Sequence, residues 1–240
     1  VQSHGDHREL HQPYRRQLQM CLSDSDMPFM TRALSALSPK VNEQLYSMAT
    51  DGTYIYYNPI RFIDIFKKNG MYLNRAYLHS VLHCLFFHLW TKGERDEFLW
   101  NTACDIVVEY TIDTMEKKST KRILSYIRKT TYERLKKEHI VIAPGALYAW
   151  LYKQYAEIEA EEITDIDDIA NTKDKNELAL LAREFYTDDH ALWPQEKNDN
   201  AMPLSSSEAK KQWQQISRPT RMENKHSKES ETEGAQGIIR

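Results

Sequence analysis

The chain has 240 residues, 41% of them hydrophobic, and carries 32 basic against 35 acidic side chains. That length exceeds one modest domain, and the near-neutral balance gives no sequence-wide reason to expect nucleic acid or an anionic membrane as a partner. No apolar run approaches the roughly 20 residues of a membrane span, and only 7 Gly and 8 Pro argue against a turn-rich all-β fold.

The three cysteines, Cys21, Cys84 and Cys104, form no C-x-x-C pair and fit a reducing compartment. The start, Val1-Gln2-Ser3, carries neither an initiator Met nor the apolar segment of a signal peptide, so a cytoplasmic piece of a longer protein is expected.

In chain order, an amphipathic helix is expected near 8–22, with Leu10, Tyr14, Leu18, Cys21 and Leu22 along one stripe. A second should cover Met27 to Leu37, ending before Pro39. Leu45–Thr50 and Thr53–Tyr57 then flank Asp51-Gly52, a two-residue hairpin signal. Asn58-Pro59 opens a short helix through Phe66 that Gly70 stops. A long apolar helix follows from Asn74 to Thr91, then a tight turn at Gly93–Asp96 and a helix from Glu97 to Met115. The short loop predicts antiparallel packing of these two. Further helices are expected at 120–137, 144–158 and 174–185. The acidic stretch from Glu157 to Asp168 lacks the glycine and ligand spacing of an EF-hand and reads as a solvated loop. The fold class expected is mainly α with a small β-hairpin. A body over 8–195 would be followed by a polar, flexible linker over 196–240.

Two histidines one helical turn apart, His79 and His83, lie in the long apolar helix. Four residues advance an α-helix by about 400°, so both rings leave one face. Metallopeptidases with an H-E-x-x-H helix hold zinc with this spacing. Here the position of their glutamate base is Ser80. Asp105, flanked by Cys104, Ile106 and Val107 in the next helix, is the best third ligand, because a carboxylate there is costly unless paired or metal-bound. Glu109 shares its face. His88 lies about 140° around an unbroken helix from His83 and should point elsewhere. A buried polar network without metal, with Asp105 pairing to Arg75 or Arg95, is the alternative.

The blocks Tyr77–Cys84 with His88, Leu99–Ile106 and Asp188–Trp193 resemble a bacterial family of metallopeptidase-like domains that precede a von Willebrand factor A-like domain. The resemblance covers about residues 10–195 and implies a zincin-like helical core. It implies zinc ligation by His79 and His83 with Asp105, and adds His190 as a further candidate. It also implies a von Willebrand factor A-like domain soon after Arg240 and an associated ATPase as a partner. The motif's glutamate is absent here, and a serine hydroxyl does not titrate usefully near neutral pH. Three functions follow as expectations. The first is a degenerate metallopeptidase that binds metal and recognises a protein or peptide. The second is an active zinc hydrolase whose base is Glu109 or another carboxylate delivered by the fold. The third is a metal-free helical scaffold.

Overall fold

A computed structural model describes Met27 and residues 30–160, 168–194 and 205–218. The helix expected over 8–22, residues 161–167 of the acidic stretch and the tail beyond 218 lie outside the described residues.

The helix expected to reach Leu37 is a single turn, α1 (Thr31–Leu34). Ser35 ends it by donating its hydroxyl to the Thr31 carbonyl at 2.7 Å, and Ser38 is already in a strand. The sheet has three strands, β1 (Ser38–Val41), β2 (Ala49–Thr50) and β3 (Tyr54–Tyr57), in the order β1-β3-β2. The expected hairpin is the antiparallel β2–β3 pair, with Thr50 opposite Ile55. Asp51 shapes its turn: one carboxylate oxygen accepts the amides of Thr53 and Tyr54, both at 2.8 Å. Gly52 sits at φ +90°, and a Cβ there would lie 2.6 Å from the Trp90 ring. Strand β1, parallel to β3, was not expected, because Ser38-Pro39-Lys40 shows no apolar alternation.

The two helices expected over 59–66 and 74–91 are one kinked element, α2 (Pro59–Leu85). Asn58 caps it, accepting the amides of Ile60 and Arg61 at 3.1 and 3.4 Å. The break falls at Asn69 (φ −162°, ψ 98°), whose side chain restarts the helix by accepting the Met71 amide at 3.1 Å. The C-terminal end also differs from expectation. Phe87 adopts a left-handed φ of 63°, and His88–Trp90 form a 3-10 turn instead of continuing to Thr91.

Helix α3 (Glu97–Met115) has the predicted bounds, capped by Asp96 accepting the Leu99 amide at 2.9 Å. It is apolar on both sides. One side, with Trp100, Cys104 and Val108, packs on α2 and the sheet. The other, with Leu99, Ala103, Ile106 and Val107, meets Leu135 of α4 (Tyr126–Lys137), Leu147 and Leu151 of α5 (Pro144–Ala160) and Phe185 of α6 (Asp168–Phe185). A helix covered all round is the centre of its domain. Antiparallel packing of α2 and α3 is visible in their polar partners, since Arg75 meets Asp113 and Glu109 while His83 meets Asp105.

The polar linker expected over 196–240 contains a packed helix, α7 (205–218). Its anchor is Trp213, fully buried, whose indole N–H donates to the Gly52 carbonyl at 2.7 Å. Ser206 accepts the Trp90 indole N–H at 3.0 Å. One buried tryptophan outweighs a polar composition because burying a large aromatic side chain is worth about 1.5–3 kcal/mol. The fold is mainly α with a small sheet, as expected. Among the described residues, no helix is long and apolar enough to cross a membrane.

Candidate metal centre

Five side chains converge between α2, α3 and the segment after α6. His79 and His83 come from α2, Asp105 from α3, and Asp188 and His190 from the extended stretch that follows Phe185. One donor atom from each lies within 4.8 Å of every other, and all five residues are buried. His79 Nε2 and His83 Nε2 are 2.8 Å apart. Asp105 Oδ1 is 3.2 Å from both of them and 3.1 Å from His190 Nε2. Asp188 Oδ1 is 3.1 Å from His190 Nε2, 3.3 Å from His79 Nε2 and 4.0 Å from His83 Nε2.

The structure thus brings together all four residues singled out as ligands, His79, His83, Asp105 and His190, and adds Asp188. How Asp188 enters is a matter of strand geometry. The Asp189 amide donates to the Met48 carbonyl at 2.7 Å, and Asp189 bridges Ala49 as a short parallel strand pair. In an extended segment alternate side chains share a face. Asp188 and His190 therefore point inward together, and Asp189 points away. The D-x-H spacing is the sequence signal that could have found it.

Each inward group has outer partners. His79 Nδ1 donates to Glu109 Oε1 at 2.7 Å. Ser80 Oγ donates to Asp188 Oδ2 at 2.5 Å. His83 Nδ1 lies 3.0 Å from His88 Nδ1, a contact the unbroken-helix expectation did not contain. Glu109 itself lies behind His79 and away from the cluster's centre. Its Oε2 accepts Arg75 Nε and Nη2 at 3.0 and 2.6 Å and Arg128 Nη1 at 2.5 Å. Its Oε1 also accepts the Thr187 hydroxyl at 3.1 Å. Asp105 pairs with histidines, while Arg75 is taken by Glu109 and Asp113.

The electrostatics follow from burial set against these partners. Burial favours a neutral His79, but the carboxylates of Asp188, Asp105 and Glu109 outweigh it and hold the ring's pKa well above the usual value. His190 is likewise disfavoured as a cation by burial, yet Asp105 and Asp188 lift it to about 10. His83 is lowered to about 4 by burial and by the charge on His79. Burial pushes the carboxyls of Asp105, Asp188 and Glu109 up. The facing imidazoles pull all three well below the usual range, with Arg128 and Arg75 adding to the effect at Glu109.

The donor set suits a divalent cation. Donors held about 2.1 Å from one zinc-sized ion stand at most about 4.2 Å apart. The separations of His79 and His83 from each other and from Asp105 and Asp188, 2.8 to 4.0 Å, fall within that limit. Imidazole nitrogens with carboxylate oxygens and no thiolate match zinc and its first-row neighbours. Charge also balances. The pair of imidazoliums at His79 and His190 neutralises Asp105 and Asp188, and a dication beside three neutral imidazoles would do the same.

The fold thus places a buried His/Asp cluster that could hold a metal where an i, i+4 histidine helix packs on an antiparallel partner. Residues 12–236 match the family described as "Putative metallopeptidase domain", and the chain belongs to that family. No curated protein and no solved structure matches the chain.

Proposed function

We infer that this chain is a metal-binding member of its family that has lost peptide hydrolysis and serves to recognise a protein or peptide. Zinc is the metal its residues suit best, held by His79, His83 and His190 together with Asp105 and Asp188. The observation that carries the reading is the 2.5 Å hydrogen bond from Ser80 Oγ to Asp188 Oδ2. Hydrolytic zinc supplies an activated water at an open position, with a base beside it to take the proton. At the base position of the motif this chain has a hydroxyl, and that hydroxyl is spent on holding a carboxylate in the cluster. The five buried donors can fill a tetrahedral cation's coordination from the protein alone, with no position left for a water.

Glu109 does not restore the base. Its oxygens accept from two arginines, a histidine and a threonine, and its pKa is depressed, so it has neither a free lone pair facing the centre nor the proton affinity of a general base near neutral pH. Its geometry is that of a carboxylate orienting a ligating histidine.

Elemental analysis of untagged protein, beside a His79→Ala/His83→Ala variant, tests the reading. Near-stoichiometric zinc that the variant loses, with no turnover in a peptide-library screen, is the expected result. Turnover by the native chain that the variant lacks would overturn the loss of hydrolysis. Absence of metal after zinc is offered to a folded protein would overturn metal binding itself.

A further inference from the structure

His88 has no place in an H-x-x-x-H motif, and an unbroken helix would carry it away from the site. The chain instead leaves α2 at Leu85, passes through the left-handed Phe87 (φ 63°) and re-enters a 3-10 turn at His88. That reversal brings His88 Nδ1 to 3.0 Å from His83 Nδ1, on the side of the ring opposite the cluster. Both rings are fully buried. The position is fixed from outside as well: the Trp100 indole N–H donates to the His88 carbonyl at 3.3 Å, and the Phe86 ring lies 5.6 Å from the imidazole. Among the described residues His88 Nε2 has no hydrogen-bond partner. Among the described residues, the hydrogen-bonding contact of this ring is made through Nδ1, to His83.

We propose that His88 is a positioning residue of the metal centre, accepting the Nδ1–H of His83 at its own Nδ1 so that the lone pair on His83 Nε2 faces the cation. The proposal rests on metal binding as inferred above. A neutral imidazole carries one N–H, and the nitrogen opposite it is the only one that can ligate. For His83 Nε2 to ligate, the proton must sit on Nδ1, where it needs an acceptor in a site closed to water. Glu109 supplies that acceptor for His79. For His83 the acceptor is His88, whose proton then resides on Nε2. Were His88 Nδ1 the donor, His83 would carry its proton on Nε2, aimed at His79 Nε2 and Asp105 Oδ1, and would not ligate. The two ligating histidines of α2 thus take their tautomers from different sources, a carboxylate on α3 and an imidazole one turn past their own helix.

Zinc affinity, read by competition with a chromophoric chelator, is compared among the native protein, His88→Asn and His88→Leu. The asparagine oxygen can occupy the place of Nδ1, whereas leucine offers no acceptor. Loss of an outer-shell partner typically weakens metal binding about 10–100-fold. His88→Leu should show a loss of that size, and His88→Asn should recover most of it. In the zinc-loaded native protein, nitrogen-15 NMR should show His83 protonated at Nδ1 and His88 protonated at Nε2, a readout that requires no variant to fold. Native affinity in a folded His88→Leu, or a protonated Nδ1 on His88, would overturn the proposal while metal binding stands. Failure of the native protein to bind zinc would instead sink the reading on which it rests.

Discussion

Removing Glu109 is the perturbation whose cost the structure defines best. Glu109 is fully buried, and its carboxylate receives three N–H groups from Arg75 and Arg128, one from His79 and one hydroxyl from Thr187. Glu109→Ala leaves both guanidiniums buried with one carboxylate fewer. Breaking a buried ion pair by deleting one partner costs about 3–5 kcal/mol. Asp113 still faces Arg75 at 2.6 Å and Arg128 at 3.2 Å, and Glu184 faces Arg128 at 3.1 Å, so neither arginine is stranded. The expected loss therefore falls at the low end, about 3 kcal/mol. In a protein of this size that lowers Tm by about 6–12 °C. Glu109→Gln keeps an acceptor for His79 but turns an amide donor toward a guanidinium, and should cost about 1–3 kcal/mol. Urea and thermal unfolding in the presence of a chelator measure both. A Glu109→Ala protein within about 1 kcal/mol of the native one would refute the structural role. A folded, zinc-replete variant that lost only turnover would restore Glu109 as a base.

Two further outcomes follow from the protons at the site. Zinc binding at pH 7 should release about two protons, from His79 and His190, and should tighten as pH rises, because protons and metal compete for the same Nε2 atoms. Calorimetry in buffers of different ionisation enthalpy counts them, and no release would contradict the charge assignment. The metal-free protein should be most stable near the ordinary histidine pKa of 6.5. His83, lowered to about 4, contributes stability that is complete above 6.5 and lost as pH falls toward 4, and the depressed carboxyls of Asp105, Asp188 and Glu109 extend the loss below that. His190, raised to about 10, contributes stability that is complete below 6.5 and lost as pH climbs toward 10. A urea midpoint that rises steadily from pH 6.5 to 9 would show the alkaline half of this account to be wrong.

Local rules made much of the protein readable. The His79/His83 pair depends only on helical periodicity, and a carboxylate in the apolar run Cys104–Val108 requires a partner however the chain folds. The Asp51-Gly52 turn, the Asn58-Pro59 helix start and the full span of α3 are likewise set by residues adjacent in sequence. Where neighbours compete, local reading failed. Phe87 in a left-handed conformation reverses the chain after α2 and delivers His88 to His83, and nothing in its side chain signals that. Trp213 anchors a polar segment as a helix because the Gly52 carbonyl and the hydrophobic core receive its side chain, while Trp90 donates to Ser206 of the same helix.

The sequence by itself determined that two histidines share a helix face, that a carboxylate lies buried on the next helix, and that position 80 carries no base. Tertiary structure alone decided which carboxylates face the histidines. Asp105 and Glu109 share a face of α3, yet Arg75 of α2 and Arg128 of α4 claim Glu109 and leave Asp105 to the cluster. Asp188 and Asp189 are adjacent in sequence, and only the pairing of Asp189 with the edge of β2 turns the first inward with His190. Helical spacing is a property of a segment. The placement of charge in a buried site is a balance among segments that meet only when the chain is folded.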